Sequence, residues 1–227
     1  MRFEEFESLI STPRITKYRT ACANDCKKTI CLYRGNIRIS RAFLAILSVF
    51  EIVLRNKIDN HYRSIFPPEP GRPDWLLKSI LPGGFLTQNG CQRSQIIVNR
   101  KYRDLGARYT HDRLVAELSF GFWKYLFAGN QYRAGGYTLL RIFPNIPPRH
   151  GQSFIYHQLD KINAIRNRVA HHEPICFHPV NCTINKAYAR ARFQETLNLL
   201  EWMNIDSRQL FYGVNGVLKE ADRIDNI

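Results

Sequence analysis

Apolar residues fall at Phe43, Ile46, Leu47, Phe50, Val53, Leu54 and Ile58. This three- and four-residue spacing marks one face of a helix, and predicts a long helix over about 41–64 with Ser40 as its N-cap. The same periodicity predicts a helix over 92–105, and another starting at Thr110 or Asp112 and running through Leu114, Leu118, Phe122, Tyr125 and Leu126 until Gly129-Asn130 stops it. Two further helices are predicted over about 151–171, with Ile155, Leu159, Ile162 and Val169 on one face, and over about 185–203. Pro144, Pro147 and Pro148 set off a short helix around 138–143, and a shorter one is expected toward the C-terminus.

Between these elements lie helix breakers. Phe66-Pro-Pro-Glu-Pro-Gly-Arg-Pro73 and Leu81-Pro-Gly-Gly84 enclose only a turn at Asp74-Trp75-Leu76-Leu77, so a long connection is expected there. Residues 1–30 read as a short acidic helix, then Ser11-Thr12-Pro13 and a polar, Cys-bearing stretch, together an arm more than a domain. No strand-like alternation, internal repeat or low-complexity tract interrupts the pattern. The fold class predicted is an all-α helical bundle with long loops.

Charge narrows the partners. Over 227 residues, 33 Lys and Arg against 19 Asp and Glu give a formal net charge of +14, which points to a polyanion. The basic residues sit in short clusters among aromatics, as at Arg100, Lys101 and Arg103 beside Tyr102, and at Arg190 and Arg192 beside Tyr188 and Phe193. That suits nucleic acid better than a membrane surface, although each cluster alone reads equally well as a solvated basic face. No apolar run approaches the ~20 residues a membrane span needs, and the opening MRFEEFESLI is too acidic for a leader, so a cytoplasmic protein is expected. Cys22, Cys26, Cys31, Cys91, Cys176 and Cys182 are scattered without a close CxxC pair, which favours free or buried thiols over zinc; a site joining Cys22, Cys26 and Cys31 with Cys176, His178 and Cys182 is the alternative. No phosphate-binding loop of the Walker type is present, and no cofactor or metal is expected.

The stretch Ile165-Arg-Asn-Arg-Val-Ala-His-His-Glu-Pro174 carries the candidate chemistry. Arg166 falls in the middle of the apolar stripe of its helix, where a guanidinium needs a carboxylate, a phosphate or a wet cleft. His171, five residues on, lies about 140° further round an ideal helix. Pro174 disfavours helix at Glu173, so fraying at 170–172 is expected to free the histidine. Two readings stay open: Arg166 paired with a core carboxylate while the histidines cap the helix end, or a phosphate clamp plus proton carrier able to cleave RNA without a metal.

Arg166-Asn167-Arg168-Val169-Ala170-His171 fits the R-x4-6-H signature of the HEPN superfamily. Tyr33-Arg-Gly-Asn-Ile-Arg-Ile-Ser40, Phe50-Glu-Ile-Val-Leu-Arg-Asn56 and Glu117-Leu-Ser-Phe-Gly-Phe-Trp123 resemble the Abi-like (abortive infection) branch of that superfamily, in family order. The resemblance implies a HEPN-type helical domain over 31–205, flanked by the arm and by a C-terminal extension over 206–227. It also implies pairing about a two-fold axis that brings two motifs together into a composite, metal-independent ribonuclease site. Arg166 and His171 then match the two fixed positions, Asn167 the polar slot beside the arginine, and His172 a secondary role at the cleft or on phosphate. Glu51, Arg55 and Asn56 sit in the family-like segment of the long helix. The first two form either a local i,i+4 pair or support for the site, with Asn56 as a hydrogen-bonding partner. Glu117 either orients Arg166 or faces solvent.

The function expected from the resemblance is an RNA endonuclease toxin of phage defence, acting as a homodimer and leaving cyclic-phosphate ends. Arg168, Arg100, Lys101, Arg103, Arg190 and Arg192 are its candidate RNA contacts. The alternative is a catalytically silent RNA-binding HEPN module held by a structured non-coding RNA.

Overall fold

A computed structural model of the chain describes residues 2–70, 74–178 and 183–227. Regular structure among them is helical: α1 (Phe3–Ile10), α2 (Thr12–Ala21), α3 (Cys26–Ile65), α4 (Trp75–Ile80), α5 (Gln92–Leu105), α6 (His111–Glu117), α7 (Phe120–Tyr125), α8 (Gly129–Ala134), α9 (Gln152–Ala170), α10 (Lys186–Trp202), α11 (Ser207–Leu210) and α12 (Val217–Asp225), with short 3-10 turns between some of them. Extended backbone pairs at an isolated antiparallel bridge, Phe177 to Ile184. The all-α fold class predicted from periodicity is the one observed. No helix among the described residues is long and apolar enough to cross a membrane. Cys182 and the 71–73 end of the expected connection lie outside the described residues.

The chain divides into two compact units. One comprises Met1–Ser48, Ala164–Leu197 and Ser207–Ile227; the other comprises Val49–Asn163 and Asn198–Asp206. In the first, α3 begins at Cys26 and not near Arg41, so Ser40 is an interior residue and not the expected N-cap. Asp25 does the capping, its Oδ1 accepting from the Lys28 amide at 2.9 Å. The early start escaped the apolar count because the buried stripe Thr29, Leu32, Asn36, Ile39, Phe43 contains two polar residues.

Asn36 explains its own burial. Its Oδ1 accepts from the amides of Ile175 at 2.8 Å and Cys176 at 3.2 Å, fixing the segment that follows Pro174 onto α3. Asn36→Ala strands two buried N–H groups, so it is expected to cost about 2–4 kcal/mol in urea unfolding. A cost under ~1 kcal/mol would mean that those amides find other partners.

Residues 1–30, expected as an arm, contribute packed helices in which Phe6, Ile15, Tyr18 and Cys22 are buried. Tyr33 of α3 meets Phe6 and Tyr18 edge to face, with centroids 5.5 and 5.2 Å apart. Residues 207–227 are likewise integrated. α12 buries Val217, Ala221 and Ile224, and a Cβ on Gly35 would stand 3.1 Å from Ile224 Cγ1, so the glycine sets how closely α3 and α12 approach.

In the second unit, Tyr62, Phe66, Trp75, Phe85 and Trp123 form an aromatic core; Tyr62 and Trp75 lie 4.8 Å apart and Trp75 and Trp123 6.4 Å. The turn expected at Asp74–Leu77 is the start of a helix, since Asp74 Oδ1 accepts from the Leu77 amide at 3.0 Å. A Cβ on Gly84 would fall 2.1 Å from the Lys78 carbonyl oxygen, which excludes any side chain there.

The helix predicted from Thr110 through Leu126 is two. Leu118 is extended and gives its carbonyl to Trp123 Nε1 at 3.1 Å, and Ser119 restarts the helix. Phe120, Phe122 and Trp123, all buried, spread around more than one face of the short α7, so that helix is enclosed on several sides. Gly129-Asn130, expected to stop a helix, instead opens α8.

Candidate functional site

The motif occupies the last turn of α9 and the turn that closes it, within the first unit. The stripe Ile155, Leu159, Ile162 and Val169 is buried as predicted, Ile165 joins it, and Arg166 is half-buried. The expected fraying does not occur. The His171 amide donates to Asn167 O at 2.9 Å, His172 N–H to Val169 O at 3.1 Å, and Glu173 N–H to Arg168 O at 2.7 Å. The last two bonds, with His172 at φ 56°, make a Schellman closure that satisfies the final carbonyls before Pro174 turns the chain away.

Two arginines hold that closure. Arg14 of α2 donates through Nη2 to the His172 carbonyl, placing a cation at the negative end of α9. Arg168 donates to the Pro174 carbonyl, has Nε 3.8 Å from Glu173 Oε2, and lays its guanidinium 5.2 Å from the Tyr188 ring centroid. With its side chain only 14% exposed, Arg168 is a clasp on the turn and not the open RNA contact expected of it.

His172 occupies a left-handed conformation that usually goes to glycine. His172→Gly is therefore expected to raise stability by roughly 1 kcal/mol, read as a higher thermal midpoint. A lower midpoint would show that the imidazole makes contacts outweighing the strain.

His171, His172 and Asn167 are exposed, so the turn presents two imidazoles and an amide to solvent beside the half-buried Arg166. The other candidates divide. Arg190 is engaged with Asp222 and, at 2.7 Å, Asp225 of α12. Arg192 pairs with Glu195 at 2.8 Å and lies 5.6 Å from the Tyr188 ring centroid. Both arginines, expected on RNA, make intramolecular ion pairs here; the partners of Arg190 lie far on in sequence, on α12, whereas Glu195 stands one turn after Arg192 on α10 itself.

Glu51, Arg55, Asn56, Arg100, Lys101, Arg103 and Glu117 belong to the second unit. Glu51 and Arg55 are half-buried one turn apart on α3, the Arg55 Nε being a buried donor with no hydrogen-bond partner among the described residues, and Asn56 is exposed. Glu117 takes the solvent-facing alternative: it is exposed and lies 3.0 Å from Lys101 Nζ. Arg100 and Arg103 are exposed on α5.

Of the cysteines, Cys22, Cys91 and Cys176 are buried and Cys26 and Cys31 exposed, all as free thiols. Burial raises the Cys22 and Cys91 pKa values and pushes Cys176 up to about 12, which keeps these thiols protonated. Among the described residues no group of three or more His, Cys, Asp or Glu is arranged to hold a metal ion.

The chain matches no protein-family model, no curated protein and no solved structure. Geometry and chemistry therefore carry the functional reading.

Proposed function

We propose that the chain is a metal-independent RNA endonuclease of the HEPN type, a cytoplasmic toxin of phage defence whose composite site forms where two copies meet. The observation that carries this reading is the pairing on one helix end of a half-buried Arg166 with an exposed His171 five residues later, on a chain of net charge +14. In such a site a histidine takes the proton of an RNA 2′-hydroxyl as its oxygen attacks the adjacent phosphorus. The P–O5′ bond breaks, the leaving 5′-oxygen gains a proton, and a 2′,3′-cyclic phosphate and a 5′-hydroxyl result. Arginine stabilises the charge that builds on the phosphoryl oxygens in between.

The regular close of α9 supports the two-copy arrangement. With helical hydrogen bonding intact to His171, the two side chains leave the helix about 140° apart, so one copy does not aim both at a single phosphate. A two-fold axis supplies the missing convergence. The same geometry favours a second reading if the chain stays monomeric: an RNA-binding module without catalysis.

The test is incubation of end-labelled mixed-sequence RNA with purified protein in excess EDTA, followed by analysis of product ends and of the oligomeric state with and without RNA. Cyclic-phosphate fragments from a dimer are the expected result. RNA that is bound but left intact by a monomer would replace the nuclease with the silent module.

A further inference from the structure

We propose that the pocket beside the histidine turn receives one nucleobase of a single-stranded RNA, an inference that rests on the RNA-directed reading above. The pocket is a cavity of about 550 Å³ within the first unit, inside the range of ~300–1,000 Å³ usual for ligand sites. Its apolar surface comes from Leu9, Ile37, Leu44 and Val169. Leu9 is 69% exposed, Ile37 51% and Leu44 53%, so three large aliphatic side chains meet solvent around one opening. Val169 and His172 also line it, which sets it next to His171 in the chain.

Its remaining lining is cationic and aromatic. Arg14 and Arg41, both exposed, stand with His172 around the apolar surface. Tyr33 contributes a half-buried ring, and its neighbours Phe6 and Tyr18 meet it at steep angles of 80° and 69°, so neither lies parallel to it. Ser40 adds a hydroxyl, and Asn36, whose oxygen is taken by two backbone amides, has its amide donors left to offer. A flat apolar group with hydrogen-bonding edges, joined to an anion, matches this lining; that is the chemistry of an unstacked nucleotide. Arg14 and Arg41 at the rim complement the phosphates that flank such a base, which favours a polyanion over an apolar protein segment as the occupant.

The experiment uses the full chain carrying His171→Ala, so that RNA stays intact, and compares a ten-nucleotide single-stranded RNA with an abasic ribose-phosphate chain of the same length at one salt concentration. The RNA is expected to bind about tenfold more tightly than the abasic chain. Leu44→Trp, at an exposed position where the added ring fills the opening without disturbing the core, is expected to erase that difference while leaving abasic binding unchanged. Arg41→Ala is expected to weaken both ligands and to flatten the salt dependence.

Equal binding of the two ligands, or full-strength RNA binding by a folded Leu44→Trp, overturns the proposal. So does a Leu44→Trp chain that changes only its oligomeric state, since the surface would then join copies. Base-dependent binding that Leu44→Trp abolishes, in a chain whose wild type never cleaves RNA, sustains the pocket and removes only the nuclease. Cleavage by the wild type with undiminished RNA binding by Leu44→Trp does the reverse.

Discussion

His111→Ala is expected to destabilise the protein by about 3–5 kcal/mol, the cost of leaving buried charge without its partner. The imidazole stands between two buried carboxylates of the second unit, with Nε2 2.7 Å from Asp59 Oδ1 and Nδ1 3.2 Å from Asp74 Oδ1. Burial works against its positive charge, but Asp59 and Asp74 outweigh that and push its pKa up to about 9. Burial likewise opposes the two carboxylates' charge, and their hydrogen bonds, from His111 above all, hold both below the usual range. Asp59 also accepts from Trp75 Nε1 at 2.6 Å and Arg63 Nε at 2.8 Å, while Asp74 accepts from the Tyr109 hydroxyl and the Leu77 amide. Arg63 Nη2 in turn lies 2.8 Å from Asp112.

This arrangement fixes a pH signature. A histidine raised on folding contributes fully below its unfolded pKa of ~6.5, and the contribution disappears as pH climbs through about 9. Wild-type stability should therefore fall by about 3 kcal/mol between pH 6.5 and 9.5. The depressed aspartates act at the other end, their share lost as pH drops below ~3.8. Urea unfolding at pH 6, 7.5 and 9 measures the alkaline limb. Equal slopes in wild type and His111→Ala would remove His111 as its origin.

The second large effect concerns cleavage. His171→Ala is expected to lower the rate by about 10²–10⁴-fold, the range for a removed proton carrier, and Arg166→Ala by a similar factor through lost charge stabilisation. RNA affinity should survive His171→Ala. Mixing the two inactive variants separates a composite site from a self-contained one. If Arg166 of one copy works with His171 of the other, each mixed dimer holds one wholly wild-type site, and random exchange restores roughly a quarter of the activity. Should each copy work alone, every copy lacks a necessary group and mixing restores nothing.

Helical class and the approximate courses of α5, α9 and α10 were legible because apolar residues recur at helical spacing on their buried faces, Ser94 of α5 and Thr196 of α10 being single polar interruptions. α3 was read short where Thr29 and Asn36 interrupt the apolar stripe, and the α6–α7 break was invisible because Leu118 suits either course. At the motif, the chemistry of Arg166 and His171 could be read from residue type and spacing. The Schellman closure could not, because it places a histidine where glycine is the usual signal. Arg14 was missed for another reason: its acceptor, the His172 carbonyl, is a backbone atom 158 positions away, and no side-chain pattern announces it. Similarly, Arg190 and Arg192 looked available only while Asp222, Asp225 and Glu195 were unplaced.

The discontinuous make-up of the first unit also bears on the order in which the molecule is completed during synthesis. Most of the second unit is one unbroken run, Val49–Asn163, and emerges early. The unit bearing the histidine turn draws on the N-terminal helices, on the segment from Ala164, and finally on α12, whose Glu220 meets Arg38 at 3.1 Å. A growing chain has made its two histidines well before it has made the last helix of the unit that carries them. An RNA-cutting centre built there would reach its finished form only after α12 has been made, about fifty residues behind the histidines themselves.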